Sequence, residues 1–453
     1  MTINWTPRIV TPGDGDGSDR SRLLGRLATL ARLDTVAIIA TPAAVAAGAD
    51  ELSAVLGRHL VVMLAGAGAQ VATARARELI GSEHRAGIAI APFDGVDATA
   101  LVESACAACD AAAVGTIARA EDAVEHVALG NRVAIIADAT TAAAYKLARR
   151  LAGATIPITI SGPTGTGKDL VATAIHRFSP RASQPFVAVN CAAIPESLAE
   201  AELFGHARGA FTGAVAPRAG LIEASSGGTL FLDEVAELSR ASQARLLRAL
   251  EAGELQRIGE TTLRPIDLHV IAATHRDLAE EVAAGRFRKD LWYRLGVARV
   301  DLAPLCQRPR DLAALVSRFL ADACARSGRT VQLAPATARA LFAYSWPGNV
   351  RELRHAIEFA VASATVGDDA QILPEHLPAL RDSAARSKVR VVGDRSIATE
   401  VQMLERSRMV EALAQCGGVQ TRAAASIQMP LRSFVSKLKR YGITERDWRD
   451  PPA

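Results

Sequence analysis

Gly162-Pro-Thr-Gly-Thr-Gly-Lys168 is where residue type and spacing in this chain point most directly to chemistry. Its glycines let backbone N–H groups curl around an anion, and a lysine at the end can reach the outer phosphates of a nucleotide. Gly162, Pro163, Thr164, Gly165, Thr166, Gly167, Lys168 and Asp169 are therefore candidate ATP-binding residues. Asp169 stands where such loops usually carry a Ser or Thr ligand for magnesium. A glycine-rich turn can also be only a turn. A second stretch, Thr229-Leu-Phe-Leu-Asp233-Glu234, ends an apolar run in two carboxylates. Asp233 could hold magnesium, directly or through water, while Glu234 orients and activates an attacking water. The bland alternative is a buried strand reaching solvent. Following a phosphate loop in the same chain, hydrolysis of a nucleoside triphosphate is the better account, with Mg2+ as an expected cofactor.

These residues need elements that hold them. Pro157 to Ser161 has the composition of a short strand, its proline tolerable at the first position, and Asp169 to Arg177 that of a helix. Strand, glycine loop and helix, in that order, place the positive end of the helix at the phosphates. The 453 residues are enough for about three domains. With 49% hydrophobic and 22% charged residues, the composition excludes a disordered chain. A net charge of +4 is too small to argue for nucleic acid by itself. Residues 1–118 alternate apolar runs (35–40, 60–65, 87–91) with alanine-rich helical stretches, which predicts a small α/β domain with a parallel sheet. Residues 125–300 form the α/β ATPase part, 301–380 a helical section, 381–400 a polar linker and 401–448 an all-α end.

Cys106 and Cys109 lie in a helical stretch without a second Cys or His pair, so they are expected to pack a helix rather than bind metal. No run reaches the ~18–20 apolar residues of a membrane span, and a soluble, cytoplasmic protein is expected. In the C-terminal block Gly417-Gly418 ends a first helix, Thr421 is placed to cap a second from Arg422, and Pro430 opens a third running to Arg440. Thr421, Arg422, Arg432, Ser433, Ser436, Lys437, Lys439 and Arg440 are candidate DNA contacts of a helix-turn-helix, although charges on a helix face are often only solvated.

Glu202-Leu-Phe-Gly-His-Ala-Arg-Gly209-Ala-Phe-Thr-Gly-Ala214 contains a hexapeptide, Gly209, Ala210, Phe211, Thr212, Gly213, Ala214, that strongly resembles the bacterial enhancer-binding proteins. Val189-Asn190-Cys191, Phe287-Arg288 to Arg294-Leu, and Ser345-Trp-Pro-Gly-Asn-Val-Arg351 are similar to other stretches of that sigma-54-dependent, NtrC-type AAA+ family. The resemblance runs from about residue 138 to 380, and Leu431 to Ile443 resembles the family's Fis-type DNA-binding end. It implies an AAA+ P-loop ATPase core with a helical lid. It also implies a hexameric ring, dimeric binding to double-stranded enhancer DNA, and sigma-54 RNA polymerase holoenzyme as partner. By the same resemblance the hexapeptide contacts sigma-54 and Asn190 holds Glu234 inactive. Thr274 would sense the γ-phosphate, Arg288 and Arg294 would reach a neighbour's nucleotide, and Arg351 would couple the lid. His275 stands where the family often has Asn, and Cys306-Gln307 replaces a charged pair.

Ala91-Pro-Phe-Asp94 is reminiscent of the end of a receiver domain, but Ala91 replaces the receiver lysine and the acidic phosphorylation site is missing. A degenerate receiver-like domain is expected, serving docking, dimerisation or a separate regulatory protein. Two other functions compete with the one the resemblance implies. A regulator of the same fold acting without sigma-54 has no use for the hexapeptide, and an unfoldase or helicase-loading ATPase has none for the terminal helices.

Overall fold

The structure is a computed structural model that describes residues 21, 23–27, 35–45, 52–211, 214–364, 371–377, 405, 408–410, 412–414, 416–427, 429–441 and 443. They fall into two units, 1–383 and 384–453. Thr212, Gly213 and the expected linker at 381–400 lie outside the described residues.

The first sheet of the larger unit has five strands, in the order Leu52–Leu56, His59–Ala65, Val36–Pro42, Ala86–Ala91, Ile117–Arg119. The parallel sheet expected here is corrected: three of its four pairings are antiparallel and only the last is parallel. The cause is local. Gly57, at φ 60°, and Arg58 alone join the first two strands, and so short a hairpin cannot make a crossover. Alternate residues of Val36–Pro42 face opposite sides, as strand periodicity requires. Val36, Ile38 and Ala40 pack with Leu101 and Cys109 of helix Ala98–Ala111, while Ala37 and Ile39 pack with Ala72 and Ile80 of helix Ala69–Ile80. A Cβ at Gly87 would lie 2.1 Å from the Ala105 carbonyl, so glycine is what lets that helix lie against the sheet. The cysteines pack this helix as expected: Cys109 is buried and burial pushes the Cys106 thiol up to about 11.

The second sheet is entirely parallel, in the order Ala298–Asp301, Ile158–Ser161, His269–Thr274, Thr229–Asp233, Phe186–Asn190. Near-continuous burial along its inner strands matches a sheet covered on both faces. Helices Ala139–Leu151 and Lys168–Phe178 cover one face, and helices Arg240–Ala252 and Lys289–Leu295 the other. Helices Pro309–Ser327, Pro335–Ala343 and Asn349–Ser363 form a separate apolar cluster around the fully buried Trp346. Among the described residues no helix is long and apolar enough to cross a membrane.

The smaller unit holds helices Gln420–Ser426 and Leu431–Arg440 around the fully buried Phe434, with Met409, Ala412 and Leu413 beneath. Thr421 does not cap the first of these. That helix begins at Gln420, two residues before the expected Arg422, behind Val419 and without a side-chain cap bond.

Candidate functional site: a phosphate loop between a parallel sheet and a helical lid

The carboxyl ends of the parallel strands collect the chemistry, where ligands of open α/β sheets bind. Register sets Asp233 opposite Asn190 and Thr274 opposite Ser161, the residue before the glycine loop. In that loop Gly165 and Gly167 take φ values of 79° and 99°. A Cβ at Gly165 would lie 2.3 Å from the Gly348 carbonyl of the lid, so position 165 requires glycine twice over. Lys168 opens the following helix, buried to 6% exposure. Its Nζ donates to the Gly162 and Pro163 carbonyls at 3.0 and 3.3 Å and stands 3.6 Å from Glu234 Oε1. Asp169, in the magnesium-ligand position, instead forms an exposed ion pair with Arg132 at 2.6 Å.

Glu234 sits in the left-handed region, φ 54°, a conformation that costs a non-glycine residue energy and clusters at functional sites. Its Oε2 accepts from the His275 backbone N–H at 3.2 Å and meets His275 Nδ1 at 2.7 Å. The holder of Glu234 therefore differs from the expectation. Asn190 Oδ1 accepts from Ala192 N–H at 3.0 Å, and the side chain gripping Glu234 is His275. The Asn190 side chain is engaged by its own loop, whereas His275 follows Thr274 off the adjacent strand end. Thr274 is buried and its hydroxyl accepts from Arg276 N–H at 3.0 Å. Burial, then the Glu234 charge, push the Asp233 carboxyl above its usual range, while Lys168 opposes them. A carboxylate at a strand end beside a phosphate loop is the donor chemistry magnesium takes, with one or two carboxylates and phosphate oxygens completing its shell. Asp233 fits that role.

The lid is fastened to the phosphate loop by groups outside the candidate site residues. Asn349, at φ 51°, accepts from Leu305 N–H at 2.8 Å and donates to the Thr164 carbonyl at 2.9 Å. Val350 N–H donates to the Gly165 carbonyl at 2.9 Å, which sets the exposed Arg351 beside the loop. Asp311, almost wholly buried, accepts from Ala137 and Asp138 N–H and from Thr141, and pairs with Arg308 at 3.3 Å. Arg308 also points at the Thr166 carbonyl, 3.5 Å away. The Pro347-Gly-Asn turn carried a sequence signal; the Arg308–Asp311 pair carried none, because its partners lie far away in the chain.

Arg288 pairs with Asp290 at 2.7 Å, and Arg294 donates to the Leu250 carbonyl at 2.9 Å. Neither is bonded to the phosphate loop of its own chain. The hexapeptide projects from the paired strands Gly205–His206 and Arg218–Ala219. Gly209 N–H donates to the Ala214 carbonyl at 2.8 Å and pinches the loop shut. Phe211 is 41% exposed, its ring edge-on to His206 at 5.0 Å, while Ala214 is buried. In the smaller unit Thr421, Arg422, Arg432, Ser433, Ser436, Lys439 and Arg440 are exposed. Lys437 departs from the expected free face: its ammonium pairs with Glu405, which also accepts from the Tyr441 hydroxyl.

Comparison with known proteins agrees with this arrangement. Residues 134–301 match the Sigma-54 interaction domain, 306–391 the AAA+ ATPase lid domain, and 400–441 the Bacterial regulatory protein, Fis family. The chain is 44% identical over 303 residues to the anaerobic nitric oxide reductase transcription regulator NorR of Salmonella paratyphi C, covering 65% of this chain and 60% of that one. It is 43% identical over 300 residues to NorR of an Enterobacter species. The match thus spans less than two thirds of the length of these curated relatives. The crystal structure of NtrX from Brucella abortus in complex with ATP is 31% identical and superposes with a TM-score of 0.51, covering 69% of this chain and 70% of NtrX. Its ADP complex gives 32% and 0.51. The family models cover the ATPase core, the lid and the terminal helices, and the chain belongs to the sigma-54-dependent enhancer-binding activators.

Proposed function

We propose that this chain hydrolyses ATP at the subunit interfaces of a ring and uses the turnover to remodel sigma-54 RNA polymerase holoenzyme from an upstream DNA site. The observation that carries the proposal is the Lys168–Glu234–His275 cluster at the sheet end, with helix Glu196–Phe204 leading from that end to the strand pair that bears the Phe211 loop. Loop N–H groups and Lys168 bind the phosphates of ATP. When bound through Asp233, magnesium neutralises charge on those phosphates. Lys168, drawn to phosphate oxygens, leaves Glu234 Oε1, and Glu234 then turns from His275 to take the proton of the attacking water. Arg288 and Arg294 of one subunit place guanidinium charge on the neighbour's transferring phosphoryl group.

Coupling has a short path. Cys191 N–H donates to the Asp233 carbonyl at 2.9 Å, and helix Glu196–Phe204 runs from that strand end into the Gly205 strand that carries the loop. A displacement beside Asp233 is delivered through one helix to Phe211, Thr212 and Gly213. Double-stranded DNA is gripped by the exposed face of helix Leu431–Arg440, minus Lys437. The test is open-complex formation by purified sigma-54 holoenzyme with ATP. Phe211→Ala is expected to hydrolyse ATP at the native rate and to yield no open complex; full activation by this variant would remove the loop from the mechanism.

A further inference from the structure

A cavity of about 310 Å³ lies between the N-terminal sheet domain and the lid. Ile90, Phe93 and Val124 line it from one side, and Val316, Leu320 and Arg310 of helix Pro309–Ser327 from the other. Packed interiors hold few voids larger than a water molecule, and small-molecule sites favour domain junctions, starting at about this size.

Four charged side chains line it, and although their formal charges balance they are not equally satisfied. Arg119 is paired with Glu121 at 3.3 Å, and the Asp94 carboxylate accepts from Ile90 N–H at 2.7 Å. Arg310 has no hydrogen-bond or ion-pair partner among the described residues, and its Nε is buried and unsatisfied. Arg310 is partly exposed, and the desolvation cost of its buried, unpartnered Nε is one that a planar carboxylate would offset through N–H···O bonds. One free guanidinium suits one negative charge. A phosphate ester would bring two, with Asp94 in the same wall to repel the second. The apolar remainder suits a short aliphatic or aromatic body.

We infer that this cavity is a binding site for a small apolar monocarboxylate, held by Arg310 and enclosed by Phe93, Val124 and Leu320. Its position gives such an acid leverage on the ATPase. Arg310 is flanked by Arg308 and Asp311, which fasten the lid helix to Thr166 of the phosphate loop and to Ala137 and Asp138. An acid drawing Arg310 toward the N-terminal domain shifts the residues on which the phosphate loop rests. By reciprocity, nucleotide binding changes the affinity for the acid by the same factor.

Calorimetric titration of the full chain with phenylbutyrate, phenylbutanol and phenylbutylamine, without nucleotide, tests this. Phenylbutyrate is expected to bind saturably and about tenfold tighter than the alcohol, as one charge-assisted contact predicts, with the amine weakest. Arg310→Gln should erase the preference for the acid over the alcohol, and Ala314→Trp, which fills the cavity, should abolish binding of both. Circular dichroism of each variant reports whether it has folded, and Arg310→Gln decides alone if Ala314→Trp has not. The inference is overturned if none of the three ligands binds saturably or if the amine binds tightest. It is equally overturned if Arg310→Gln keeps the acid preference, or if folded Ala314→Trp still binds.

Discussion

Glu234 combines a strained backbone, a lysine at 3.6 Å and an imidazole at 2.7 Å, the setting proposed for the base. If it is the base, Glu234→Gln should bind ATP as well as the native chain and lose hydrolysis by about a hundredfold or more. Nucleotide titration and phosphate release measured on one preparation check this, and native turnover would take the role away. Lys168, Asp233 and Glu234 were legible in the sequence because their chemistry is contiguous with a strand or a loop. The His275–Glu234 contact was not, since it joins the ends of two strands that only the sheet brings together. Asp94 gives a second residue-scale outcome. Burial raises its carboxyl from 3.8 to about 6, so the folded chain holds that proton more firmly than the unfolded chain. The ionised form is the one penalised: stability falls as pH rises from near 4 through about 6, and the penalty is complete above that. Asp94→Asn should therefore leave thermal stability nearly unchanged at about pH 4 and raise it by about 3 kcal/mol above pH 7. A gain confined to acid pH would reverse the assignment.

At the scale of elements, the junction of lid and phosphate loop depends on two buried devices. Arg308 and Asp311 are 4% and 1% exposed, and removing one partner strands the other's charge. Arg308→Met should cost about 3 kcal/mol, the low end for breaking a buried pair, because Thr141 and two backbone N–H groups still serve Asp311. The midpoint of urea unfolding measures it, and an unchanged midpoint would show the pair to be idle. Gly165→Ala would force a methyl to 2.3 Å from the Gly348 carbonyl at φ 79°, so lid and loop must part. Which elements could be foreseen follows the same physics. The apolar parallel strands of the ATPase sheet were plain in composition because both faces are covered. The N-terminal sheet misled, since its alternating strands and helices suggested crossovers while Gly57-Arg58 turns the chain straight back. Strand Leu52–Leu56, partly buried and at the sheet's edge, has too weak an apolar pattern to declare itself.

At the scale of the whole molecule, the proposal stands on a division of labour between chains. Lys168 and Glu234 meet within one chain, but Arg288 and Arg294 are held by Asp290 and the Leu250 carbonyl, away from that chain's phosphate loop. Two surfaces that each hold half of a site generate a head-to-tail contact, and such contacts close into rings when the rotation allows. The consequence can be measured without seeing the ring. Lys168→Ala keeps its arginines and loses its phosphate grip; Arg294→Ala keeps the grip and loses a finger. Alone, each should be inactive. Mixed, the Lys168→Ala chains lend arginines to the intact loops of their Arg294→Ala neighbours, and ATP hydrolysis should reappear. It should rise with total protein concentration, because the working site exists only in the assembly. If mixtures stay as inactive as their components at every ratio while both variants still associate with native chain, the arginines do not act across an interface, and the site must be completed within one subunit.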